Sequence, residues 1–243
     1  MSAGGPRGRM ALTTAITAVS IALVCVATVA FTIYVPATEG YFNLGETMVY
    51  TVAILFGPYV GALAGGIGSA LADLLLGYAF YAPATLVIKA CEGLVVGWLV
   101  RKARMGERAW KSLTITTALL SGSFLSYVGM RYYSGDVLLF LGNSVVEGHI
   151  PAWLWLLLGV VLATFMISLG LVLEPETGWR AFSILVGGCI MITGYFLYEF
   201  AWFGWAALAE VPVNIGQMTI GLAVSLPLTR ALEERLPGPL RQA

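Results

Sequence analysis

The sequence predicts an all-α integral membrane protein. Of its 243 residues, 59% are hydrophobic and only 11% are charged, whereas an average soluble domain has about 25% charged residues. Apolar runs of about 20 residues, each long enough to cross a bilayer as a helix, recur along the chain. A soluble core could not bury so much apolar surface, so we expect many side chains to face lipid.

Composition and motifs exclude several classes of function. The formal net charge is zero, so there is no basic face for nucleic acid. Cys25, Cys91 and Cys189 lie in apolar runs, and His149 is the only histidine, so neither a metal site nor a cofactor is predicted. The sequence contains no GxxxxGK[ST] phosphate loop and no HExxH or GxSxG motif, so we expect neither ATP hydrolysis nor enzyme activity.

Eight membrane segments are expected. The first covers about 10–34 and is too long for the roughly 7–15-residue apolar region of a signal peptide. The others follow at about 47–57, 59–79, 83–101, 112–130, 151–173, 180–204 and 210–229. Residues 35–46 and the stretch from Arg131 to Pro151 are expected to be polar loops.

The distribution of Lys and Arg predicts the orientation. With both termini in the cytoplasm, the inner segments contain eleven basic residues: Arg7, Arg9, Arg101, Lys102, Arg104, Arg108, Lys111, Arg180, Arg230, Arg235 and Arg241. The outer loops then contain only Arg131, and Lys89 lies within a helix. Because basic residues near helix ends resist translocation, we expect a multi-pass protein of the cell membrane with cytoplasmic termini.

Two stripes of small residues suggest close helix packing. Ala11, Ala15, Ala18 and Ala22 form AxxxA pairs in the first segment, and Gly57, Gly61, Gly65 and Ser69 follow one another at intervals of four. Such spacing lets a neighbouring backbone approach closely. Internal packing explains both stripes, and the alternative for the alanines is a docking face for another membrane subunit.

Ionisable residues inside apolar segments mark a candidate site. Asp73, Lys89 and Glu92 would be costly against lipid, so they should point inward and find partners. Lys89 and Glu92 are three residues apart, which allows a local ion pair, but the Lys89 ammonium could instead reach an outer cavity. Asp73 could pair with a neighbouring helix or bond to backbone.

Aromatic and amide residues cluster at the outer ends of the predicted segments. Tyr78 and Tyr81 belong either to the interfacial aromatic belt or to a wall on which a flat heterocycle stacks. Tyr195 and Glu199 are four residues apart, so they lie on the same face of the predicted helix. Asn214 and Gln217, three apart, could read the polar edge of a ligand or bridge two helices.

Four stretches resemble a known family. YFNLGE at 41–46, FGPYVGALAGGIGSALADLLLGY at 56–78, YAPATLVIKACEGLVVG at 81–97 and NIGQ at 214–217 are similar to the S components of energy-coupling factor (ECF) transporters. The nearest branch is the riboflavin-type one, which includes proteins for hydroxymethylpyrimidine or pyridoxine-like vitamins.

The resemblance implies a six-helix membrane protein that binds a vitamin at its outer side. It implies partners as well: a transmembrane coupling subunit, met by the face of Ala11, Ala15, Ala18 and Ala22, and two cytoplasmic ATPase subunits. It implies a substrate site formed by Asn43, Glu46, Tyr78, Tyr81, Lys89, Tyr195, Glu199, Asn214 and Gln217. Riboflavin is the first candidate ligand and a pyrimidine or pyridine vitamin the second.

The predicted architecture departs from the family in one respect. A six-helix core at 10–101 and 180–232 would be interrupted by an inserted helix pair at about 112–173, all within a single membrane domain of residues 1–243. Two other functions stay open. Asp73 or Glu92 could carry the proton of a secondary transporter, or the chain could be a non-transporting membrane scaffold with paired carboxylates.

Overall fold

The computed structural model describes residues 6–36, 38–102, 106–132, 134–141, 144–172 and 174–235. The chain divides into two compact units, residues 1–104 with 179–243 and residues 105–178.

The described residues form eight α-helices, one 3-10 helix and two two-stranded antiparallel sheets. The α-helices are α1 (Pro6–Ala30), α2 (Gly45–Phe56), α3 (Pro58–Leu76), α4 (Ala82–Lys102), α5 (Glu107–Tyr132), α6 (Ala152–Val172), α7 (Pro175–Phe203) and α8 (Glu210–Arg235). A 3-10 helix, Gly204–Ala209, joins α7 to α8. The strands are β1 (Thr32–Val35), β2 (Gly40–Asn43), β3 (Gly135–Leu141) and β4 (Ser144–Ile150).

The helical membrane architecture is confirmed, but eight crossings are not shown. Within the described residues, six stretches are long and apolar enough to cross a membrane, and the last of them, Pro175–Arg235, runs through both α7 and α8. The helix α2 has only 12 residues, too few to span about 30 Å of hydrocarbon at 1.5 Å per residue.

The structure has hairpins where loops and the end of the first helix were expected. Strands β1 and β2 pair with Thr32 opposite Asn43 and Val35 opposite Gly40; most of β1 was assigned to the first segment at about 10–34, and β2 was assigned to the loop at 35–46. Strands β3 and β4 likewise pair along residues assigned to the second loop. The residues of β1, TIYV, are β-branched or aromatic, a composition that favours strands.

In the first unit, α3 and α4 approach through their glycines. A Cβ on Gly61 would lie 2.8 Å from the carbonyl oxygen of Gly93, and a Cβ on Gly65 would lie 2.7 Å from that of Lys89. Both distances are too short for a side chain, so the predicted glycine stripe packs internally. This close approach brings the C-terminal part of α3 alongside the N-terminal part of α4.

The short helix α2 is packed on several sides. It contacts α1, α3, α4 and α8, and Val49, Tyr50 and Ala53 are fully buried in the core. A Cβ on Gly221 of α8 would lie 2.6 Å from the Glu46 Cβ. The beginning of α2 is therefore held against α8, and Glu46 is buried there.

The helix α1 packs on α3 through one face only. Ser20, Val24 and Thr28, spaced four apart, are buried, and a Cβ on Gly68 of α3 would lie 2.7 Å from the carbonyl oxygen of Ile21. The predicted alanine stripe at residues 11, 15, 18 and 22 is exposed at all four positions. Internal packing therefore does not account for the alanines among the described residues.

The second unit is an antiparallel helix pair with a hairpin. The Trp110 indole donates to the carbonyl oxygen of Gly170 at 2.8 Å, and the Ser126 hydroxyl donates to that of Trp155 at 3.3 Å. Early residues of α5 thus contact late residues of α6, and the hairpin of β3 and β4 joins their other ends.

Candidate functional site

A cavity lies at one end of the first unit, where α1, α3 and α7 end and α4 and α8 begin. Its empty volume is about 430 Å³, open mouth included. It is lined by Thr28, Gly40, Tyr41, Asn43, Ser69, Asp73, Tyr81, Thr85, Lys89, Tyr195, Glu199, Glu210, Asn214 and Gln217.

Lys89 is held by two carboxylates next to the cavity. Its ammonium donates to Glu92 Oε2 at 3.0 Å and to Glu46 Oε1, and the Tyr50 hydroxyl donates to Glu92 Oε1 at 2.8 Å. Lys89 is only 4% exposed and the two glutamates are buried. The local pair expected from the spacing is present, with Glu46 as an additional partner from α2.

Two amides connect the first hairpin to α8. Gln217 Oε1 accepts a hydrogen bond from the backbone N–H of Asn43 at 2.9 Å, and Gln217 Nε2 donates to Asn214 Oδ1 at 2.8 Å. Asn43 Oδ1 in turn accepts from the backbone N–H of Gly45 at 2.8 Å. These bonds fix the side chains of the predicted amide pair at the cavity and tie β2 to α8.

Tyrosine and threonine hydroxyls bind the carboxylates of the cavity wall. Tyr41 donates to Asp73 Oδ1 at 2.5 Å, and Thr38 donates to Glu210 Oε2 at 2.5 Å. Tyr81 donates to the carbonyl oxygen of Thr38 at 2.7 Å and approaches Glu199 Oε1 at 3.4 Å. These contacts tie the first hairpin, formed by β1 and β2, to α3, to α8 and to Tyr81 just before α4.

The hydroxyls of Tyr41 and Tyr81 keep their protons. Burial, followed by the negative charge of Asp73, raises the pKa of Tyr41 above its ordinary range. Burial and the charge of Glu199 raise the pKa of Tyr81 in the same way. Both hydroxyls therefore act as donors at neutral pH.

Some carboxylate oxygens at the site have no partner. Asp73 Oδ2 and Glu199 Oε2 are buried without a hydrogen bond, although each residue has its other oxygen engaged. Asp73 is 3% exposed and Glu199 is 1% exposed. Because a buried acceptor without a donor costs free energy, these atoms require a physical explanation.

Aromatic rings form part of the wall. The Tyr41 and Tyr78 rings lie 4.4 Å apart between centroids at an angle of 32°. The Tyr195 ring lies 5.6 Å from Lys89 Nζ, and the Tyr195 hydroxyl donates to Thr85 Oγ1 at 3.0 Å. The cavity therefore offers ring faces as well as polar groups.

The structure brings most of the predicted site residues together. Seven of the nine line the cavity: Asn43, Tyr81, Lys89, Tyr195, Glu199, Asn214 and Gln217. Glu46 instead lies behind Lys89 as its ion-pair partner. Tyr78 lies behind Tyr41 and contacts its ring.

Sequence reasoning missed several wall residues. Glu210 lies four residues before Asn214 and seven before Gln217, a helical spacing that places all three on one face. Asp73 continues the small-residue stripe four residues after Ser69, but it was expected to be an internal partner or a proton carrier and was not assigned to the substrate site. Tyr41 had no such signal, because its segment was expected to be a loop.

Comparisons with known proteins agree with this architecture. The family model described as "ECF-type riboflavin transporter, S component" matches residues 10–171. An "uncharacterized protein in gap 3'region" of Pyrococcus woesei is 38% identical over 124 residues, which cover 51% of this chain and 83% of the relative. The thiamine precursor transporter HmpT of Lactococcus lactis subsp. cremoris is 25% identical over 118 residues, which cover 48% of this chain and 67% of the relative.

The family match covers more than half of the chain, from α1 to the end of α6. It accounts for the long apolar helices of this part of the chain. The chain belongs to the family of ECF-type riboflavin transporter S components, and it is a multi-pass membrane protein that acts as a non-enzymatic transport subunit for a vitamin-like molecule together with an ECF module.

Proposed function

We propose that the cavity is the substrate site of this S component and that it binds the heterocyclic ring of a vitamin or vitamin precursor. The observation that carries the proposal is that Lys89, Asn214 and Gln217, from two helices far apart in sequence, surround one space with ring faces beside them. Tyrosine rings would stack on the heterocycle, while the amides and Lys89 would contact its polar edge.

Two ligand classes are the candidates. Riboflavin comes first because the matching family model is described by that vitamin. A hydroxymethylpyrimidine or pyridoxine-like compound comes second, and the relative named as a thiamine precursor transporter supports it.

The ligand enters from outside the cell in this proposal. Within the first unit, Arg9 lies near the beginning of α1, Arg101 and Lys102 at the end of α4, and Arg230 and Arg235 near the end of α8. The cavity is formed by the opposite ends of the same helices. Because basic helix ends remain in the cytoplasm, both termini would be cytoplasmic and the cavity would open outward.

The first hairpin is suited to cover the site. The bond from Asn43 to Gln217 and the bond from Tyr81 to the Thr38 carbonyl fasten it at two places. Release of these contacts would admit the ligand, and their formation would exclude water from it.

Energy for transport would come from other chains. The ECF module would consist of a transmembrane coupling subunit and two cytoplasmic ATPases, and the exposed alanine stripe of α1 would meet the coupling subunit. Residues 10–101 and 180–232 would form the S-component core, and the pair at about 112–173 would be an insertion, although the family match extends through residue 171.

Ligand binding tests the proposal directly. The purified protein should carry a small heterocycle identifiable by mass spectrometry, and a titration should detect its binding. Gln217→Ala and Asn214→Ala each remove a hydrogen-bonding amide and should weaken binding by about tenfold, which is about 1.4 kcal/mol.

The matched control is Thr219→Ala, at an exposed position of the same helix, which should leave the affinity unchanged. If no heterocycle binds, or if all three variants bind equally well, the cavity is not the substrate site. Uptake that persists without ATPase subunits and follows the proton gradient would instead indicate a secondary transporter.

A further inference from the structure

Acidic groups outnumber basic ones around the cavity. Asp73, Glu199 and Glu210 line it, whereas Lys89 is its only basic lining residue among those the structure describes. All four are nearly inaccessible to solvent, with exposures between 1% and 4%.

The Lys89 ammonium is already paired with carboxyl groups that lie outside the cavity lining. Lys89 pairs with Glu46 and Glu92, and neither of these two glutamates lines the cavity. The Lys89 ammonium is therefore engaged with Glu46 and Glu92 and makes no hydrogen bond to Asp73, Glu199 or Glu210. The wall itself has acceptors in excess of donors.

The protein's own donors do not satisfy this excess. Tyr41 binds one oxygen of Asp73, Tyr81 approaches one oxygen of Glu199, and Thr38 binds one oxygen of Glu210. The second oxygen of Glu199 has no partner, and that of Asp73 makes no hydrogen bond of good geometry although the Thr85 hydroxyl lies near this carboxyl group. A buried carboxylate within a membrane protein needs an opposite charge or donors, because its desolvation is otherwise uncompensated.

We propose that the ligand supplies these missing donors, and that the site selects a flat nitrogen heterocycle with an exocyclic amino group or a positive charge over an uncharged, carbonyl-rich one. The N–H groups or the charge of the ligand would lie against Asp73, Glu199 and Glu210. The inference rests on the proposed function. It places the hydroxymethylpyrimidine or pyridoxine-like compounds ahead of riboflavin as the ligand class.

The aromatic wall fits the same class of ligand. The Tyr195 ring already lies 5.6 Å from a cation, the Lys89 ammonium, and tyrosine faces attract positive charge. A cationic or amino-substituted ring would gain both stacking and charge-assisted hydrogen bonds at this wall. A carbonyl-rich ring would offer few N–H donors to the carboxyl oxygens of this wall.

A matched pair of ligands tests the inference. Isothermal titration of the full chain in lipid nanodiscs would compare 4-amino-5-hydroxymethyl-2-methylpyrimidine with its 4-oxo analogue, which replaces the amino donor with an acceptor at nearly constant shape. Thiamine, a permanent cation with an aminopyrimidine ring, and riboflavin, an uncharged and carbonyl-rich ring system, complete the set. The amino compound or thiamine should bind at least about tenfold more tightly than the oxo compound and riboflavin.

Charge-removing variants identify the groups responsible. Asp73→Asn and Glu199→Gln preserve shape but replace one carboxyl oxygen with an amide NH2 group, and each should weaken binding of the preferred ligand by about tenfold or more. Asp136→Asn and Glu234→Gln make the same chemical changes at exposed positions and should have no effect. Thermal unfolding of every variant would show which ones remain folded, and the wild-type ligand comparison stands even if a variant does not fold.

The outcomes separate this inference from the proposed function. Tighter binding of riboflavin or of the oxo compound would overturn the donor preference while leaving the cavity as a vitamin site. Equal binding of all four compounds would overturn it too. If none of the four binds and no heterocycle co-purifies, both proposals fail.

Discussion

Lys89 is a buried cation in the first unit. It is buried with Glu46 and Glu92, and the Tyr50 hydroxyl occupies an oxygen of Glu92. An ammonium and two carboxylates without solvent are tolerable only while they remain together, since each charge compensates the desolvation of the others. The arrangement joins α4 to α2 beside the cavity.

Removing the ammonium should therefore destabilise the protein. In Lys89→Met, Glu46 and Glu92 would face each other without a counter-charge, and breaking a buried pair in this way typically costs about 3–5 kcal/mol. Thermal unfolding in detergent would measure the loss.

The matched control for this prediction is Lys111→Met. Lys111 also pairs with a glutamate on its own helix, at 2.6 Å, but both side chains are largely exposed, and such pairs are worth about 0.3–0.5 kcal/mol. Similar melting temperatures for the two variants would contradict the view that burial makes the Lys89 cluster important.

The sequence predicted part of this cluster and not the rest. Lys89 and Glu92 are three residues apart, so their contact follows from helical spacing. Glu46 lies 43 residues away from Lys89, and nothing local indicates that the two pair. That contact depends on how the short helix α2 packs among α1, α3, α4 and α8, which is a tertiary property.

Helices were easier to predict than hairpins. Long apolar segments follow from composition, and the glycine stripe of α3 correctly indicated a close helix contact, now found with α4. The hairpin of β1 and β2 was not predicted: its strands have only four residues each, and they were assigned to the end of the first helix and to a loop. Its position is fixed by bonds to distant residues, Asn43 to Gln217 and Tyr81 to Thr38, which no local pattern reveals.

The exposed alanine stripe of α1 leads to a testable prediction about docking of the coupling subunit. Ala15 and Ala18 are exposed, while the opposite face of α1 packs on α3. If the stripe is the docking face for the coupling subunit, Ala15→Leu combined with Ala18→Leu should block the close approach of the partner helix. Co-purification of the ECF module and ATP-driven uptake should fall by about tenfold or more, while the isolated chain keeps its ligand affinity.

Ala30→Leu serves as the control, because it makes the same substitution at an exposed residue at the other end of α1. It should leave both assembly and uptake unchanged. Normal uptake by the double variant would exclude the stripe as a docking face, and a parallel loss of ligand binding would indicate that the substitutions act on folding instead.

In the first unit, basic residues and the cavity lie at opposite ends of the helices. Basic residues lie at the beginning of α1 and at the ends of α4 and α8, and the cavity lies where α4 and α8 begin. Which ends of the helices contain the basic residues could be predicted from the sequence alone. The acidic character of the cavity could not, because Asp73, Glu199 and Glu210 come from three different helices and meet only in the folded chain.

The proposed orientation can be tested on the two ends of α8. With the native cysteines replaced by alanine, Ala206→Cys would place a thiol in the 3-10 helix before α8, and Glu234→Cys would place one near its last residue; both positions are exposed. Since the basic end of α8 should remain in the cytoplasm, a membrane-impermeant maleimide should label Ala206→Cys in intact cells. It should label Glu234→Cys only after the cells are permeabilised. The reverse pattern would place the cavity on the cytoplasmic side, and capture of a vitamin from outside would then be impossible in this geometry.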